Sequence, residues 1–195
     1  MYHDDRNLIE AFRTGDEFAF VSLYNRYKEP VYAFCLKMLL SQDAAKDAMQ
    51  DTFLRVYENR DRLLNSSSFR AWLFTIARNQ CLNLMRREHR KVGLPEFDSN
   101  RPELRAPERS TAALEKSEQV AMVNHFLAQL KPDYREIIIL REYQNLSYEE
   151  IAAITKTTLS AVKSRLFKAR RKLAVYMESA MRDSAPASAV KASTT

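Results

Sequence analysis

Basic side chains are concentrated in two segments of this 195-residue chain, each near the end of a helix-like, apolar half. Residues 62–92 contain seven lysines and arginines against one acidic residue, and residues 159–172 contain six against none. A local excess of cations attracts polyanions, above all the phosphates of nucleic acids. Each segment could instead be an ordinary solvated helix face, so charge alone leaves both interpretations open.

The residue types that common catalytic sites require are missing or widely separated. The chain contains only two glycines, Gly15 and Gly93, whereas phosphate-cradling loops and dinucleotide-binding motifs need several close together. Its three histidines form no metal-ligand pattern with Cys35 and Cys81. We therefore expect no enzyme, no metal or other cofactor, and no small-molecule substrate.

Helix-forming residues dominate the composition, and the scarcity of glycine disfavours tight β-hairpins, so the sequence predicts an all-α fold. The stretch 93–113 contains three prolines and lacks apolar periodicity, which is typical of a flexible linker. We predict two small helical domains on either side of it, at 1–92 and 114–182. Residues 183–195 are rich in Ala, Ser and Thr and are expected to form a disordered tail.

Apolar residues recur at helical spacing in both domains and define the expected helices. In the first domain we expect helices over residues 5–13, 16–40, 43–59 and 69–91. In the second domain we expect them over residues 112–130, 132–144, 148–154 and 159–181. No segment is apolar enough for membrane insertion, and the N-terminus lacks a signal-peptide pattern, so we expect a cytoplasmic protein.

Residues 147–172 have the spacing of a helix-turn-helix. Ser147 and Glu150 form a capping box that starts a short helix, and a longer basic helix follows after a four-residue break. The second helix of such a motif lies in the major groove, where its first residues reach base edges. A helical hairpin with a charged exterior is the alternative, although a merely solvated face normally mixes charge signs. The side chains expected to meet DNA are Ser160, Lys163, Ser164, Arg165, Phe167, Lys168 and Arg171.

The segment LKPDYREIIILREYQNLSYEEIAAITKTTLSAVKSRLFKARRKL (130–173) resembles region 4 of extracytoplasmic-function (ECF), RpoE-like sigma factors of bacterial RNA polymerase. The resemblance implies that its second helix reads the minus-thirty-five element of a promoter. Lys131 departs from the usual proline of the family, and Lys156 replaces the common glycine of the turn. Thr155 and Thr157 occupy positions that are usually apolar, so the geometry of the turn is in question.

The resemblance continues upstream, where SSFRAWLFTIARNQCLNLMRREHRK (67–91) is similar to the region 2 helix that melts and reads the minus-ten element. Opening a duplex without an energy source needs cations for phosphates and polar or aromatic groups for unpaired bases. The resemblance implies that the loop before this helix captures a flipped base. Asn83 replaces an aspartate that is common in the family. The residues expected to contact the minus-ten element are Asn65, Ser66, Ser67, Ser68, Arg78, Asn79, Asn83, Arg86 and Arg87.

Aromatic residues in this helix have two possible roles. Phe69, Trp72 and Ile76 share one stripe, which favours a place in the core, although Trp72 could also stack on a base. Phe74 lies off that stripe and is the better candidate for an exposed aromatic.

The segment DAMQDTFLRVYENRDRL (47–63) resembles the polymerase-binding helix of region 2. Its polar, mostly acidic surface suits a protein partner with basic groups better than DNA. The resemblance implies that this partner is the clamp coiled coil of the largest polymerase subunit, whereas a solvated helix face is the alternative. The residues expected at this surface are Asp47, Gln50, Asp51, Phe53, Leu54 and Arg55.

Together these features predict an alternative sigma factor with only regions 2 and 4. The resemblance implies core RNA polymerase, promoter DNA and an anti-sigma factor as partners, and the last of these could hold the chain at the membrane. Two alternatives stay open at this point. One is a free-standing helix-turn-helix regulator, and the other is a sigma-like adaptor that has lost promoter recognition, which only the altered turn supports.

Overall fold

The computed structural model describes residues 5–63, 69–91 and 116–183, and all regular structure within these ranges is helical. The all-α prediction is therefore confirmed for this part of the chain. The predicted linker at 93–113, the loop residues 65–68 and residues 184–195 of the predicted tail lie outside the described residues.

Four α-helices and one short 3-10 turn build the first domain. The helices are α1 (Arg6–Arg13), α2 (Glu17–Leu39), α3 (Gln42–Glu58) and α4 (Phe69–Lys91), and the 3-10 turn covers Arg60–Arg62. Gly15 follows α1 with φ +100°, a conformation that glycine adopts without strain. Asp16 then caps α2, because its carboxylate accepts the backbone N–H groups of Phe18 (2.8 Å) and Ala19 (3.2 Å).

The second domain contains α5 (Lys116–Gln129), α6 (Pro132–Ile138), α7 (Tyr148–Thr155) and α8 (Leu159–Asp183). The single helix expected at 132–144 is α6 followed by a π-helical turn over Ile139–Tyr143, which ends with the Gln144 N–H donating to the Ile139 carbonyl. The capping box at the start of α7 is present: Glu150 N–H donates to the Ser147 hydroxyl, and Ser147 N–H donates to the Glu150 carboxylate.

The turn between α7 and α8 accommodates the three unusual residues. Lys156 adopts the left-handed conformation, with φ 54° and ψ 45°, that a glycine would occupy without strain. The Thr155 hydroxyl donates to the Ile151 carbonyl (2.7 Å) and lies 3.0 Å from the Thr157 hydroxyl. Polar side chains therefore replace apolar packing at this turn, and helices α7 and α8 retain the arrangement of a helix-turn-helix.

We expect Lys156→Gly to stabilise the protein, because a lysine in the left-handed region costs about 1 kcal/mol. For a chain of this size the melting temperature should rise by roughly 2–4 °C. Thermal unfolding followed by circular dichroism measures the change. Asn145→Gly is the matched control, since Asn145 also has positive φ (50°) but asparagine tolerates it better. If Lys156→Gly melted at a lower temperature than the unaltered chain, the backbone of Lys156 would not be strained.

One hydrophobic core extends through both domains of the described chain. Phe34 of α2 packs against Phe74 of α4 with ring centroids 5.6 Å apart, and both rings are fully buried. The prediction that Phe74 is exposed is therefore wrong. Helix α4 is covered by α2 and α3 of its own domain on one side and by α7 of the second domain on another. Its buried face is therefore wider than a single stripe. Within the described ranges, no helix is sufficiently long and apolar to cross a membrane.

Candidate nucleic-acid and polymerase interfaces

Helix α8 presents one continuous exposed face at its N-terminal half. Val162, Leu166 and Ala169 point into the core and are at most 2% exposed. The opposite face carries six of the predicted DNA contacts, and the Phe167 ring on it is 68% exposed. These exposed residues are Ser160, Lys163, Ser164, Phe167, Lys168 and Arg171. Their spacing of three and four residues places them on one side of the helix, as expected for a surface that enters a groove.

The seventh predicted contact, Arg165, is half-buried and lies at the edge of that face. It lines a cleft of about 280 Å³ between α6 and α8. The residues around this cleft are Lys131, Asp133, Tyr134, Ala161, Ser164, Arg165 and Lys168. Lys131 therefore adds a cation beside the face of α8 that carries the predicted DNA contacts. The sequence alone indicated that a lysine occupies this position but not that its side chain lies at the cleft.

A second cavity, of about 400 Å³, lies between α3, the 3-10 turn and α4. Its lining combines two arginines, four side-chain amides and an indole. These residues are Arg55, Asn59, Arg62, Trp72, Ile76, Asn79, Gln80 and Asn83. Asn79 and Asn83 were predicted to contact the minus-ten element, whereas Arg55 was predicted at the polymerase surface. The structure brings Arg55 into the cavity with Arg62, because one turn of helix and the 3-10 turn bend the chain back towards α4.

The chemistry of this cavity matches that of an unpaired nucleotide. Each side-chain amide both donates and accepts hydrogen bonds, so it can pair with the edge of a base. The guanidinium groups of Arg55 and Arg62 can bind phosphate, and the half-buried Trp72 can stack on a base. Asn59 begins the loop that was expected to supply polar groups for the minus-ten element, whereas Gln80 was missed by sequence reasoning. The spacing of four residues between Ile76 and Gln80 was the signal that could have identified it.

The remaining predicted minus-ten residues of the described chain are divided between two environments. Arg86 and Arg87 are exposed near the end of α4, and Arg86 donates to the Asn83 amide oxygen at 3.4 Å. Arg78 instead points to the second domain, where its guanidinium donates to both carboxylate oxygens of Glu136. Burial raises the pKa of Glu136, and the charge and hydrogen bonds of Arg78 oppose that shift. The structure thus separates Arg78 from the cavity.

The polar surface predicted on α3 is present with one correction. Asp47, Gln50, Asp51, Leu54 and Arg55 are exposed, and the Leu54 side chain is 57% exposed. Phe53 is only 4% exposed, because its ring packs edge-on against Tyr24 of α2 at 4.8 Å. Phe53 is therefore a core residue rather than a surface contact. Sequence reasoning also missed two exposed apolar residues at the start of α2, Phe18 and Val21, which are 86% and 52% exposed.

Two family models match this chain: sigma-70 region 2 over residues 23–91 and sigma-70 region 4 over residues 121–173. The RNA polymerase sigma factor YlaC of Bacillus subtilis is 34% identical over 155 residues, which cover 77% of this chain and 87% of that protein. The ECF RNA polymerase sigma-E factor of Escherichia coli K12 is 31% identical, covering 85% and 90%. The solved structure of the sigma factor RpoE of Bartonella quintana, in complex with the anti-sigma factor NepR, matches with a TM-score of 0.69 at 28% identity, covering 82% of this chain and 96% of that one.

Proposed function

The chain belongs to the ECF sigma factors of bacterial RNA polymerase, and from this premise we propose a role for each surface described above. As an alternative sigma factor, it binds core RNA polymerase and directs promoter-specific transcription initiation. The presence of region 2 decides against a free-standing helix-turn-helix regulator. We assign polymerase binding and the minus-ten element to residues 1–92, and the minus-thirty-five element to residues 114–182.

The exposed face of α8 is assigned to the minus-thirty-five duplex. Lys163 and Lys168 are long cations on the same side of the helix as Ser160 and Ser164, whose hydroxyls can reach base edges. Lysines at the flanks of such a face neutralise phosphates and set the register of the helix in the groove. The cleft containing Lys131 and Arg165 extends this cationic surface along the DNA backbone.

The cavity between α3 and α4 is assigned to the opened strand of the minus-ten element. This is the observation that carries the proposal for region 2, because arginines, amides and an indole converge around one space large enough for a nucleotide. Asn79 and Asn83 would read the base edge, Trp72 would stack, and Arg55 and Arg62 would hold the phosphates. Arg86 and Arg87 continue the cationic path along α4.

Polymerase binding is assigned to the outer surface of α3, formed by Asp47, Gln50, Asp51 and Leu54. An exposed leucine within an acidic surface suits a partner with basic residues around an apolar patch. The RpoE–NepR complex supports an anti-sigma factor as a further partner. We place the activity in the cytoplasm and assign the chain no reaction of its own, since its task is to position and open DNA.

Run-off transcription with purified core polymerase tests the assignment of the cavity. We expect Asn79→Ala to lower initiation by about 10–100-fold, because a buried base edge left without its partner costs about 1–3 kcal/mol. Asn25→Ala is the matched control, since Asn25 is an exposed asparagine on α2 away from the cavity. Equal initiation by both variants would remove Asn79 from the proposed site. Tight polymerase binding without any initiation by the unaltered chain would favour the adaptor alternative.

A further inference from the structure

The strongest polar contact between the two domains joins α4 to α6. The Arg78 guanidinium donates to Glu136 through Nε (2.7 Å) and through a terminal nitrogen (3.1 Å), which is the two-pronged geometry of a strong pair. The side chains are 17% and 2% exposed. Both charges are therefore largely removed from water at the place where the two domains lie against each other.

Further hydrogen bonds tie the same two domains together. Most of them use backbone carbonyls, which accept only when the domains are in register. The pairs are Arg135 to the Met38 carbonyl (2.9 Å), Gln144 to the Pro30 carbonyl (3.2 Å), Arg70 to the Gln144 carbonyl, and Lys37 to the Asn124 amide oxygen (3.3 Å). The second domain is thus held against α2 and α4 by several directional contacts in addition to the shared core.

This closed arrangement conflicts with the geometry of a promoter. The two elements are centred about 25 base pairs apart, which corresponds to about 85 Å of duplex at 3.4 Å per base pair. A compact chain of 195 residues has a radius of gyration of about 16 Å and is therefore only about 40 Å across. The closed chain cannot reach both elements, so the domains must separate before both are bound.

We propose that the Arg78–Glu136 pair is a latch that keeps the free chain closed and opens when the chain engages polymerase and promoter DNA. This inference rests on the proposed function. It gives Arg78 a role in conformational control in place of the DNA contact that the sequence predicted.

The physics of a buried ion pair suits this role. Desolvation offsets much of the attraction between the two charges, so the intact pair adds little net stability, whereas a buried charge without its partner is strongly unfavourable. When the domains separate, both charged groups are hydrated again. A partner that binds the open form with moderate affinity can therefore shift the chain from the closed to the open form. Arg165 and Asp133 lie close enough to influence the charge on Glu136, so the latch also lies next to the DNA-reading helix.

Fluorescence energy transfer between the domains tests the latch in the full-length chain. Ser22→Cys on α2 and Ser179→Cys on α8 are exposed labelling positions on opposite domains. Cys35 and Cys81 are both buried, and a hydrogen bond with Cys35 together with burial raises the pKa of the Cys81 thiol, so both should resist labelling. We expect the unaltered chain to be mostly closed when free and open when bound to core polymerase.

Charge reversal provides the decisive variants. Glu136→Arg and Arg78→Glu each place like charges together, and each should raise the ratio of open to closed chains at least tenfold. The double variant Arg78→Glu/Glu136→Arg restores opposite charges and should close the chain again, incompletely because Arg165 still faces position 136. Glu142→Arg is the matched control. It breaks the exposed ion pair that Glu142 forms with Arg170 inside the second domain, and it should leave the distance between the two labels unchanged.

The latch is overturned if Glu136→Arg gives the same distance distribution as the unaltered chain, or if the double variant is as open as the single variants. Circular dichroism shows whether a variant is unfolded. Should Glu136→Arg fail to fold, Arg78→Glu and the double variant still decide the question. The distance is measured without polymerase, whereas run-off transcription tests the sigma-factor assignment, so failure of one is distinguishable from failure of the other.

Discussion

Reversing the charge of both Lys163 and Lys168 should abolish initiation that depends on the minus-thirty-five element while leaving polymerase binding intact. Both side chains lie on the exposed face of α8, whereas the proposed polymerase surface lies on α3. Two carboxylates on that face would repel the DNA phosphates that the lysines attract, and like charges brought together cost several kcal/mol. We therefore expect run-off transcription to fall by a factor of about 10²–10³.

The matched control for this reversal is Arg182→Glu, which changes the same charge on the same helix outside the helix-turn-helix. It should initiate normally. Neutral Lys163→Ala and Lys168→Ala variants should each reduce the dependence of promoter binding on salt by about one counterion, because each lysine neutralises one phosphate. Normal initiation by the double reversal would show that α8 does not read the promoter and would favour an adaptor.

Arg135→Met should strongly lower the stability of the protein. The Arg135 side chain is 1% exposed, and its guanidinium donates to the carbonyls of Leu127 (2.9 Å), Ala128 (2.8 Å), Leu130 (3.2 Å) and Met38 (2.9 Å). Methionine fills similar space but removes all four hydrogen bonds, and of these acceptors the Leu127 carbonyl keeps the Leu130 N–H as a donor. Because each such loss costs about 1–3 kcal/mol, we expect the free energy of unfolding to fall by about 3–5 kcal/mol.

Urea and thermal unfolding of the full chain measure this effect, and the melting temperature should fall by roughly 10 °C or more. Arg141→Met is the control, since Arg141 donates to one carbonyl, that of Leu146, and is only half-buried. Arg135→Lys should be intermediate, because lysine keeps the charge but cannot reach four acceptors at once. If Arg135→Met were no more harmful than Arg141→Met, the guanidinium would not hold the end of α5 and the start of α6 in place.

Helix bounds were predictable from the sequence because they depend on neighbours along the chain. Asp16 and Ser147 supply capping groups within three residues, and Gly15 supplies the positive φ that ends a helix. The π-helical turn at Ile139–Tyr143 was not predictable in this way. It keeps Ile139 and Leu140 in the core while Tyr143 turns towards Lys37 of the first domain, and only tertiary contacts require that.

The candidate sites were predictable to different degrees for the same reason. The exposed face of α8 follows from one helix and a spacing of three and four residues, so its members could be identified from the sequence alone. The cavity draws on α3, a 3-10 turn and α4, and the sequence assigned Arg55 to another surface and did not identify Gln80. A site built from several elements depends on how they pack, and a local sequence pattern does not determine that packing.

The sequence by itself determined the all-α fold, the two domains, the family and the exposed face of α8, because composition, capping and helical periodicity act over a few residues. Only the tertiary structure decided that Phe53 and Phe74 are core residues, that Arg55 lines the cavity, and that Arg78 pairs with Glu136. Each of these outcomes depends on which helix covers which face. Which helix covers which face depends on contacts between residues that are distant in the sequence. Burial of apolar side chains and pairing of charges favour these contacts only in the folded chain.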